Sequence, residues 1–184
     1  MKLEVKRKAF GEKVVFEDRI FWVYGRRTLI KGPSGSGKTT LLRMLSLLDD
    51  DYEGTYSGKP RSPLVLFQED RLSMKISVLS NLMMVTSERN RALDVLSKVG
   101  LAGEEMRKCH ELSGGMRRRL AIARILLLPS DVLFLDEPLR GLDEGMKESV
   151  SRLILDTFPS SRIVVVSHEE EDQELFDIDS IISI

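Results

Sequence analysis

The sequence predicts an α/β fold with a central parallel sheet. Two unbroken apolar runs, at 132–135 and 163–166, are typical of strands that are buried on both faces of such a sheet. They flank a helical stretch at 143–157, which gives the strand–helix–strand order of a parallel crossover. A shorter β-type run at 28–30 is followed by a glycine-rich loop and by Leu41, Leu45 and Leu48 at helical spacing, which predicts a strand, a loop and a helix early in the chain.

The N-terminal segment has the pattern of antiparallel strands. Gly11 and Gly25 separate short β-type runs, and this patterning predicts a meander or hairpins over 3–31. These runs are 3–6, 14–16, 20–23 and 28–30. Two further β-type pieces within 54–67 surround the breaker Gly58-Lys59-Pro60. Alternation in this region predicts that Trp22 and Tyr24 pack in the core or at a sheet edge.

A helical subdomain is predicted between the strands, at about 76–128. Within it Met116, Leu120, Ala123 and Leu127 share one helix face, and the arginines at 117–119 lie mostly off that face. Pro129 ends the pattern. We therefore expect a single domain over 1–184, with a core at about 1–75 and 129–184. The acidic segment 168–184 is expected to form a solvated helix.

Composition excludes several classes of protein. Of the 184 residues, 42% are hydrophobic and 31% charged, which excludes both a disordered chain and a membrane-embedded one. A formal net charge of −1 argues against binding to nucleic acid through bulk positive charge. No apolar run approaches the roughly 18 residues of a spanning helix, and the N-terminus lacks a signal-peptide apolar region. The lone Cys109 cannot form an intrachain disulfide, so we expect a cytoplasmic protein.

A phosphate-binding loop is the clearest functional motif. Residues 32–39, GPSGSGKT, match G-x-x-x-x-G-K-[ST] and lie between a predicted strand and a predicted helix. Glycines allow the backbone N–H groups to approach phosphates closely, and the helix N-terminus adds positive potential. In this context Lys38 is expected to reach the β- and γ-phosphates, and Thr39 to ligate Mg²⁺.

Two acidic residues follow the apolar strand that ends at 135. Asp136 and Glu137 would therefore lie at the carboxyl end of a parallel sheet, where open α/β sheets bind ligands. With a phosphate loop in the same chain, Asp136 suits an Mg²⁺ role through water. Glu137 suits the general base that polarises an attacking water.

The segment Ser113-Gly114-Gly115 opens the predicted helix that carries Met116. Ser113 is a good N-cap, and the two glycines expose the first backbone donors, so this helix start could be a second anion site. A second subunit would then complete each nucleotide site. Plain helix capping is the alternative that these residues alone leave open.

Taken together, the motifs resemble those of the nucleotide-binding subunits of ABC transporters. The resemblance rests on the order of the motifs along nearly the whole chain. They are GPSGSGKTT at 32–40, Gln68, LSGGM at 112–116, LFLDEP at 133–138, Gly141-Leu142-Asp143 and Ser167-His168. A P-loop NTPase core is implied, with a parallel sheet, an N-terminal antiparallel β subdomain and an inserted helical subdomain.

This resemblance implies that two copies of the chain enclose two ATP molecules and hydrolyse them with Mg²⁺. Phe10 would stack on adenine, with Val15 as an apolar neighbour. The phosphates would be bound by Gly32, Ser34, Gly35, Ser36, Gly37, Lys38, Thr39 and Thr40. Ser113, Gly114 and Gly115 would contact the ATP of the partner copy, and Asp143 would link the two sites. Gln68, Glu137 and His168 would be the catalytic residues, and Thr39, Gln68 and Asp136 the metal-binding ones.

The segments around Gln68 and Met116 look most like importers of the nitrate, sulfonate, taurine or thiamine-precursor group. The expected partners are a transmembrane permease and a solute-binding protein, and the expected location is the cytoplasmic face of the membrane. Alternatives are an exporter, a lipoprotein-release or cell-division complex, or an ATP-gated scaffold. A small-molecule kinase is disfavoured, because it would not need the LSGGM segment.

Overall fold

The computed structural model describes residues 1–184 and contains two sheets. One is antiparallel with strand order β2-β1-β4, and the other is entirely parallel with order β5-β6-β7-β3-β8. The strands are β1 Lys2–Phe10, β2 Lys13–Trp22, β3 Arg27–Lys31, β4 Glu53–Ser57, β5 Pro63–Leu66, β6 Val132–Asp136, β7 Arg162–Val166 and β8 Ser180–Ser183. The helices are α1 Lys38–Leu45, α2 Val78–Met83, α3 Arg89–Lys98, α4 Gly114–Leu126, α5 Glu144–Thr157 and α6 Asp172–Leu175, with a 3₁₀ turn at Cys109–Glu111.

The parallel sheet confirms the prediction made from the apolar runs. Every residue of β6 is buried, and in β7 only Arg162 is partly exposed. Helix α1 packs on one face of this sheet and buries Leu41, Leu42 and Leu45, each worth about 1.5–3 kcal/mol of hydrophobic stabilisation. Strand β3 pairs with β7 and β8 and is not part of the N-terminal meander, because its apolar side chains are buried on both faces.

The antiparallel sheet differs from its prediction in one respect. The run at 14–16 and the first three residues of the run at 20–23 belong to a single strand, β2, whose Asp18 has a positive φ of 46°. The charged residues at 17–19, between the two runs, do not interrupt the strand, because β2 is an edge strand and they project into solvent. Trp22 and Tyr24 also lie exposed at this edge, with stacked rings 5.0 Å apart, so edge packing is confirmed and core packing is wrong.

Four helical segments lie between β5 and β6 and share one large hydrophobic cluster with the parallel sheet. Ser77 caps α2 by accepting a hydrogen bond from the Ser80 amide. In α4, Arg118 lies off the apolar face of Met116 and Leu120, as predicted, but it is buried all the same, with only 3% of its surface exposed. Helix α4 contacts the rest of the protein on more than one side, so a single apolar stripe does not describe its buried surface.

The C-terminal segment is not the solvated helix that its acidic residues suggested. Only α6 is helical there, and β8 follows it as an edge strand of the parallel sheet beside β3. Asp179 accepts hydrogen bonds from the backbone amides of Arg26 and Arg27, which holds the start of β8 against β3. None of the helices is both long enough and apolar enough to cross a bilayer.

Candidate functional site

A cavity of about 560 Å³ opens at the carboxyl edge of the parallel sheet. Strands β3, β6 and β7 all end at this edge because they run in the same direction. The lining residues are Phe10, Lys13, Val14, Val15, Ser34, Gly35, Ser36, Gly37, Lys38, Thr39, Thr40, Gln68, Asp136, Glu137, Val166 and His168. Most of the predicted nucleotide-binding and catalytic residues are therefore brought together in one place.

The loop between β3 and α1 is tightly packed and encloses the ammonium group of Lys38. Gly37, which precedes α1, has φ 103°, and a Cβ atom there would lie 2.7 Å from both Val15 and Phe16. Lys38 is buried, and its Nζ donates hydrogen bonds to the carbonyls of Gly32 and Pro33 at 2.8 and 2.7 Å. The ammonium group is thereby held inside the loop, although Gly32 itself does not line the cavity.

Thr39 and Asp136 form the part of the site that suits a cation. The Thr39 hydroxyl donates a 3.0 Å hydrogen bond to Asp136 Oδ2, and Gln68 lines the same cavity. Burial raises the pKa of Asp136, and the hydrogen bond from Thr39 opposes this rise. No group of three or more His, Cys, Asp or Glu side chains is spaced to hold a metal by itself. These oxygen donors fit Mg²⁺, which commonly binds one or two carboxylates together with phosphates and waters.

Glu137 and His168 are neighbours in the lining of the cavity. His168 Nε2 lies 3.6 Å from Glu137 Oε1, and the histidine is half-exposed while the glutamate is mostly buried. Burial raises the pKa of Glu137, and the charge of His168 works in the opposite direction. The backbone of Glu137 has a φ of 49°, and its amide donates a 2.9 Å hydrogen bond to the Val166 carbonyl of β7. A carboxylate held in this way can accept a proton from a water in the cavity.

Phe10 lies at the cavity mouth with about half of its surface exposed, and the ammonium of Lys8 lies 4.6 Å from the ring centroid. Sequence reasoning missed Lys13 and Val14 as lining residues. The sequence does contain a signal for Lys13, because Gly11-Glu12 indicates a tight turn. In the structure this turn pairs Phe10 with Lys13 in the β1–β2 hairpin. Val166 was also missed, since its strand was assigned only to the core.

Arg118 is a further residue at this site that sequence reasoning did not single out. Its guanidinium donates to the carbonyls of Phe67, Asp136, Glu137 and Pro138 and to the carboxylate of Asp70. The sequence contains only a weak sign that Arg118 is buried. Residues three and four positions apart share a helix face, and the apolar Ala121 and Ile122, which are buried in the structure, follow Arg118 at this spacing.

Besides Gly32, four predicted residues do not line the cavity: Ser113, Gly114, Gly115 and Asp143. Ser113 caps α4 by accepting from the Met116 amide at 3.2 Å, and Asp143 caps α5 by accepting from the Met146 amide at 3.0 Å. Both caps are exposed. The segment that begins with Ser113 lies next to the segment that ends with Asp143, because a Cβ atom built at Gly115 would lie 3.1 Å from the Gly141 carbonyl oxygen.

Comparison with known families agrees with the motif order. The family model described as ABC transporter matches residues 22–140. The chain belongs to the ABC transporter family. The relatives include the aliphatic sulfonates import ATP-binding protein SsuB 1 of Rhodococcus jostii, which is 42% identical over 77% of this chain. The protein of the same name from Paracoccus denitrificans is 38% identical over 91% of this chain. The predicted resemblance to importers of the nitrate, sulfonate, taurine or thiamine-precursor group is thereby confirmed, and both of these relatives are named for sulfonates.

The alignments span only part of these ABC proteins, 61% of the Rhodococcus sequence and 72% of the Paracoccus sequence. Among solved structures, an ABC transporter ATP-binding protein of Pyrococcus furiosus covers the whole chain with a TM-score of 0.78 and 29% identity, over 97% of its own length. A dimeric bacterial ABC transporter cassette covers the whole chain with a TM-score of 0.81 and 24% identity, over 93% of its length. The predicted fold class, a P-loop NTPase core with an antiparallel β subdomain and inserted helices, is confirmed.

Proposed function

We propose that this chain is the ATP-binding and ATP-hydrolysing subunit of an ABC importer. The observation that carries the proposal is that the phosphate loop, Asp136, Glu137 and His168 surround one cavity, while Ser113 and Asp143 lie exposed outside it. Because the two groups of residues are separated within one chain, they suit a dimer in which two copies of the chain enclose ATP between them. Each copy would supply one cavity and one Ser113 segment. In this proposal the core is at about 1–75 and 129–184, and the helical subdomain at about 76–128.

In the ATP-bound dimer the loop at 32–40 would hold the phosphates through its backbone N–H groups and the ammonium of Lys38. When ATP binds, the Lys38 ammonium would lose its hydrogen bonds to the carbonyls of Gly32 and Pro33 and would donate to phosphate oxygens instead. Phe10 would stack on adenine, a contact that its exposed ring and its place at the cavity mouth support.

The hydrolytic step would use Glu137 as general base. Its carboxylate would accept a proton from the attacking water, and His168 would contact the γ-phosphate and hold the glutamate in place. Thr39, Asp136 and Gln68 would hold Mg²⁺, which when bound neutralises developing phosphate charge. Ser113, Gly114 and Gly115 would bind the γ-phosphate of the ATP in the partner copy. Asp143 would link the two sites.

The membrane side of the function rests on the relatives. Because the relatives named above are import ATP-binding proteins, we infer that this chain works with a transmembrane permease and a solute-binding protein at the cytoplasmic face of a membrane. Aliphatic sulfonates are the solute class that these names suggest. The partner proteins would recognise the solute, because ATP occupies the cavity at the carboxyl edge of the parallel sheet in the proposed cycle.

Phosphate release from purified protein at saturating Mg²⁺-ATP tests the proposal. We expect the specific activity of the wild type to rise with protein concentration, because the active species is a dimer. Glu137→Gln should reduce the rate by about 10²–10⁴-fold. The exposed Glu148, which does not line the cavity and forms a surface ion pair with Arg152, offers Glu148→Gln as a matched control that keeps wild-type activity. Activity that is independent of concentration and unchanged by Glu137→Gln would refute the shared-site ATPase.

A further inference from the structure

We propose that Arg118 is a positioning residue that ties the general base Glu137 and the Gln68 segment to the helix beginning after Ser113. The inference rests on the proposed function, because it assigns Arg118 a role within that ATPase site. It goes further by connecting two parts of one chain that serve different ATP molecules. In the dimer Glu137 would act on the ATP of its own copy, whereas Ser113 would contact the ATP of the other copy.

The contacts of Arg118 use every donor of its guanidinium. Nε donates to the Pro138 carbonyl at 2.9 Å. Nη2 donates to the carbonyls of Asp136 and Glu137 at 2.8 and 2.7 Å. Nη1 donates to the Phe67 carbonyl at 2.7 Å and to Asp70 Oδ1 at 3.3 Å. A guanidinium group has five N–H donors in a fixed planar arrangement, so no shorter or less branched side chain could make this set of contacts.

Most of these acceptors are backbone carbonyls, which distinguishes Arg118 from a residue in an ordinary ion pair. Three consecutive carbonyls, from Asp136 to Pro138, are bound by one side chain. The central residue, Glu137, has the left-handed φ of 49°, which costs a non-glycine residue about 1–2 kcal/mol. The hydrogen bonds from Arg118 stabilise this backbone conformation, and the conformation determines where the Glu137 carboxylate points.

The same guanidinium also contacts the residue before Gln68. Phe67 directly follows β5 and precedes Gln68, so the position of its carbonyl affects where Gln68 enters the cavity. Arg118 itself lies little more than one turn after Ser113, the N-cap of α4. A displacement of this end of α4, such as that produced when Ser113 contacts the partner's ATP, would therefore move the backbone around Glu137 and Gln68 together.

The test compares steady-state ATP hydrolysis by wild type, Arg118→Gln and Arg118→Lys, at a temperature where all are folded. Arg118→Gln removes most of the donors, and we expect kcat to fall about 10- to 100-fold because the base is misplaced by a fraction of an ångström to 1 Å. KM for ATP should stay within about threefold, since the phosphate loop does not contact Arg118. Arg118→Lys keeps the charge but loses the planar arrangement, and a loss of about three- to tenfold in kcat is expected.

A double variant separates positioning from a purely structural role. If Arg118 acts through the base, adding Arg118→Gln to Glu137→Gln should lower the residual rate by less than about twofold, because the shared contribution is already lost. A general loss of structure would reduce the rate by a similar factor in both backgrounds.

Arg119→Gln is the matched control. Arg119 is the next residue of α4, and it also donates to two carbonyls, those of Val99 and Gly100, but these belong to the end of α3 and the turn that follows it. We expect a loss of thermal stability with kcat within about twofold of wild type.

The outcomes separate the two proposals. Wild-type activity that does not depend on Glu137 would refute the proposed function itself. Glu137-dependent activity combined with unchanged kcat in Arg118→Gln, or with equal losses in both backgrounds of the double variant, would overturn the role of Arg118 alone. Should Arg118→Gln fail to fold, wild-type kcat in Arg118→Lys would overturn it.

Discussion

The hydroxyl of Thr39 donates a 3.0 Å hydrogen bond to the carboxylate of Asp136, although the two residues are 97 positions apart. Thr39 is in the first turn of α1 and Asp136 is the last residue of β6. The contact joins the phosphate loop to the acidic strand end. It is made within the protein fold, and it places two of the three predicted metal-binding residues next to each other.

Replacement of Phe10 tests the proposed adenine contact. Phe10→Ala should weaken ATP binding by about 1–3 kcal/mol, the usual contribution of stacking between a base and an aromatic ring. Phe10→Tyr keeps the ring and should bind ATP within about twofold of wild type. Calorimetric titration with Mg²⁺-ATP, using Glu137→Gln protein to prevent turnover, measures both. Equal affinity of wild type and Phe10→Ala would show that adenine binds elsewhere.

Ser113→Asp tests whether the second anion site acts across a dimer. Aspartate is as good an N-cap as serine, so α4 should remain intact, but its charge would repel the γ-phosphate of the partner's ATP. We expect the ATP-dependent dimer of Glu137→Gln protein to be lost, while binding of ATP to the monomer stays within about twofold. Light scattering during size-exclusion chromatography reports the dimer.

Ser113→Thr is the control for this prediction. Threonine also caps helices and carries no charge, so the ATP-dependent dimer should persist. The idea of a shared site would be wrong if Ser113→Asp weakened ATP binding to the monomer as strongly as it weakened dimerisation.

Two glycines of the phosphate loop should respond differently to alanine. Both have positive φ, 78° at Gly35 and 103° at Gly37, so each substitution introduces backbone strain of about 1–2 kcal/mol. At Gly35 the new Cβ would meet no atom within 4 Å. At Gly37 it would collide with Val15 and Phe16, so Gly37→Ala should destabilise the protein by at least about 1 kcal/mol more. Urea denaturation of the two variants measures the difference, and equal losses would contradict the predicted collision.

Asp131 gives a prediction for the pH dependence of stability. Burial tends to raise the pKa of its carboxyl, but hydrogen bonds from the amides of Arg61 and Ser62, at 2.7 and 2.9 Å, outweigh burial and lower the pKa. Because the folded-state pKa lies below the unfolded value, ionised Asp131 stabilises the fold at pH values above the unfolded pKa of about 3.9. That contribution is lost as the pH falls through the folded-state pKa.

Asp131→Asn should therefore be less stable than wild type by about 1 kcal/mol near pH 7, a modest effect because the site is exposed. The difference should shrink toward zero below about pH 3. Chemical denaturation at a series of pH values measures it. A difference that stayed constant over this range would mean that the charge of Asp131 does not contribute.

The elements with strong local patterns could be predicted from the sequence. Strands β6 and β7 were found because both of their faces are buried, and the loop before α1 because its glycines and Lys38 occur in a fixed order. The C-terminal strand β8 was missed. Its residues are partly exposed at the sheet edge, so their pattern is weak, and it is held in place by β3, which lies far away in the chain.

The sequence by itself determined the family, the fold class and the candidate nucleotide-binding residues, because these depend on short motifs and on apolar periodicity along the chain. Tertiary structure alone decided that Arg118 is buried against the carbonyls beside Glu137, and that Ser113 and Asp143 lie outside the cavity. Burial of a charged side chain depends on acceptors that distant segments bring together. Local periodicity gives a weak sign that Arg118 is buried, from its spacing to Ala121 and Ile122, but it carries no information about the acceptors.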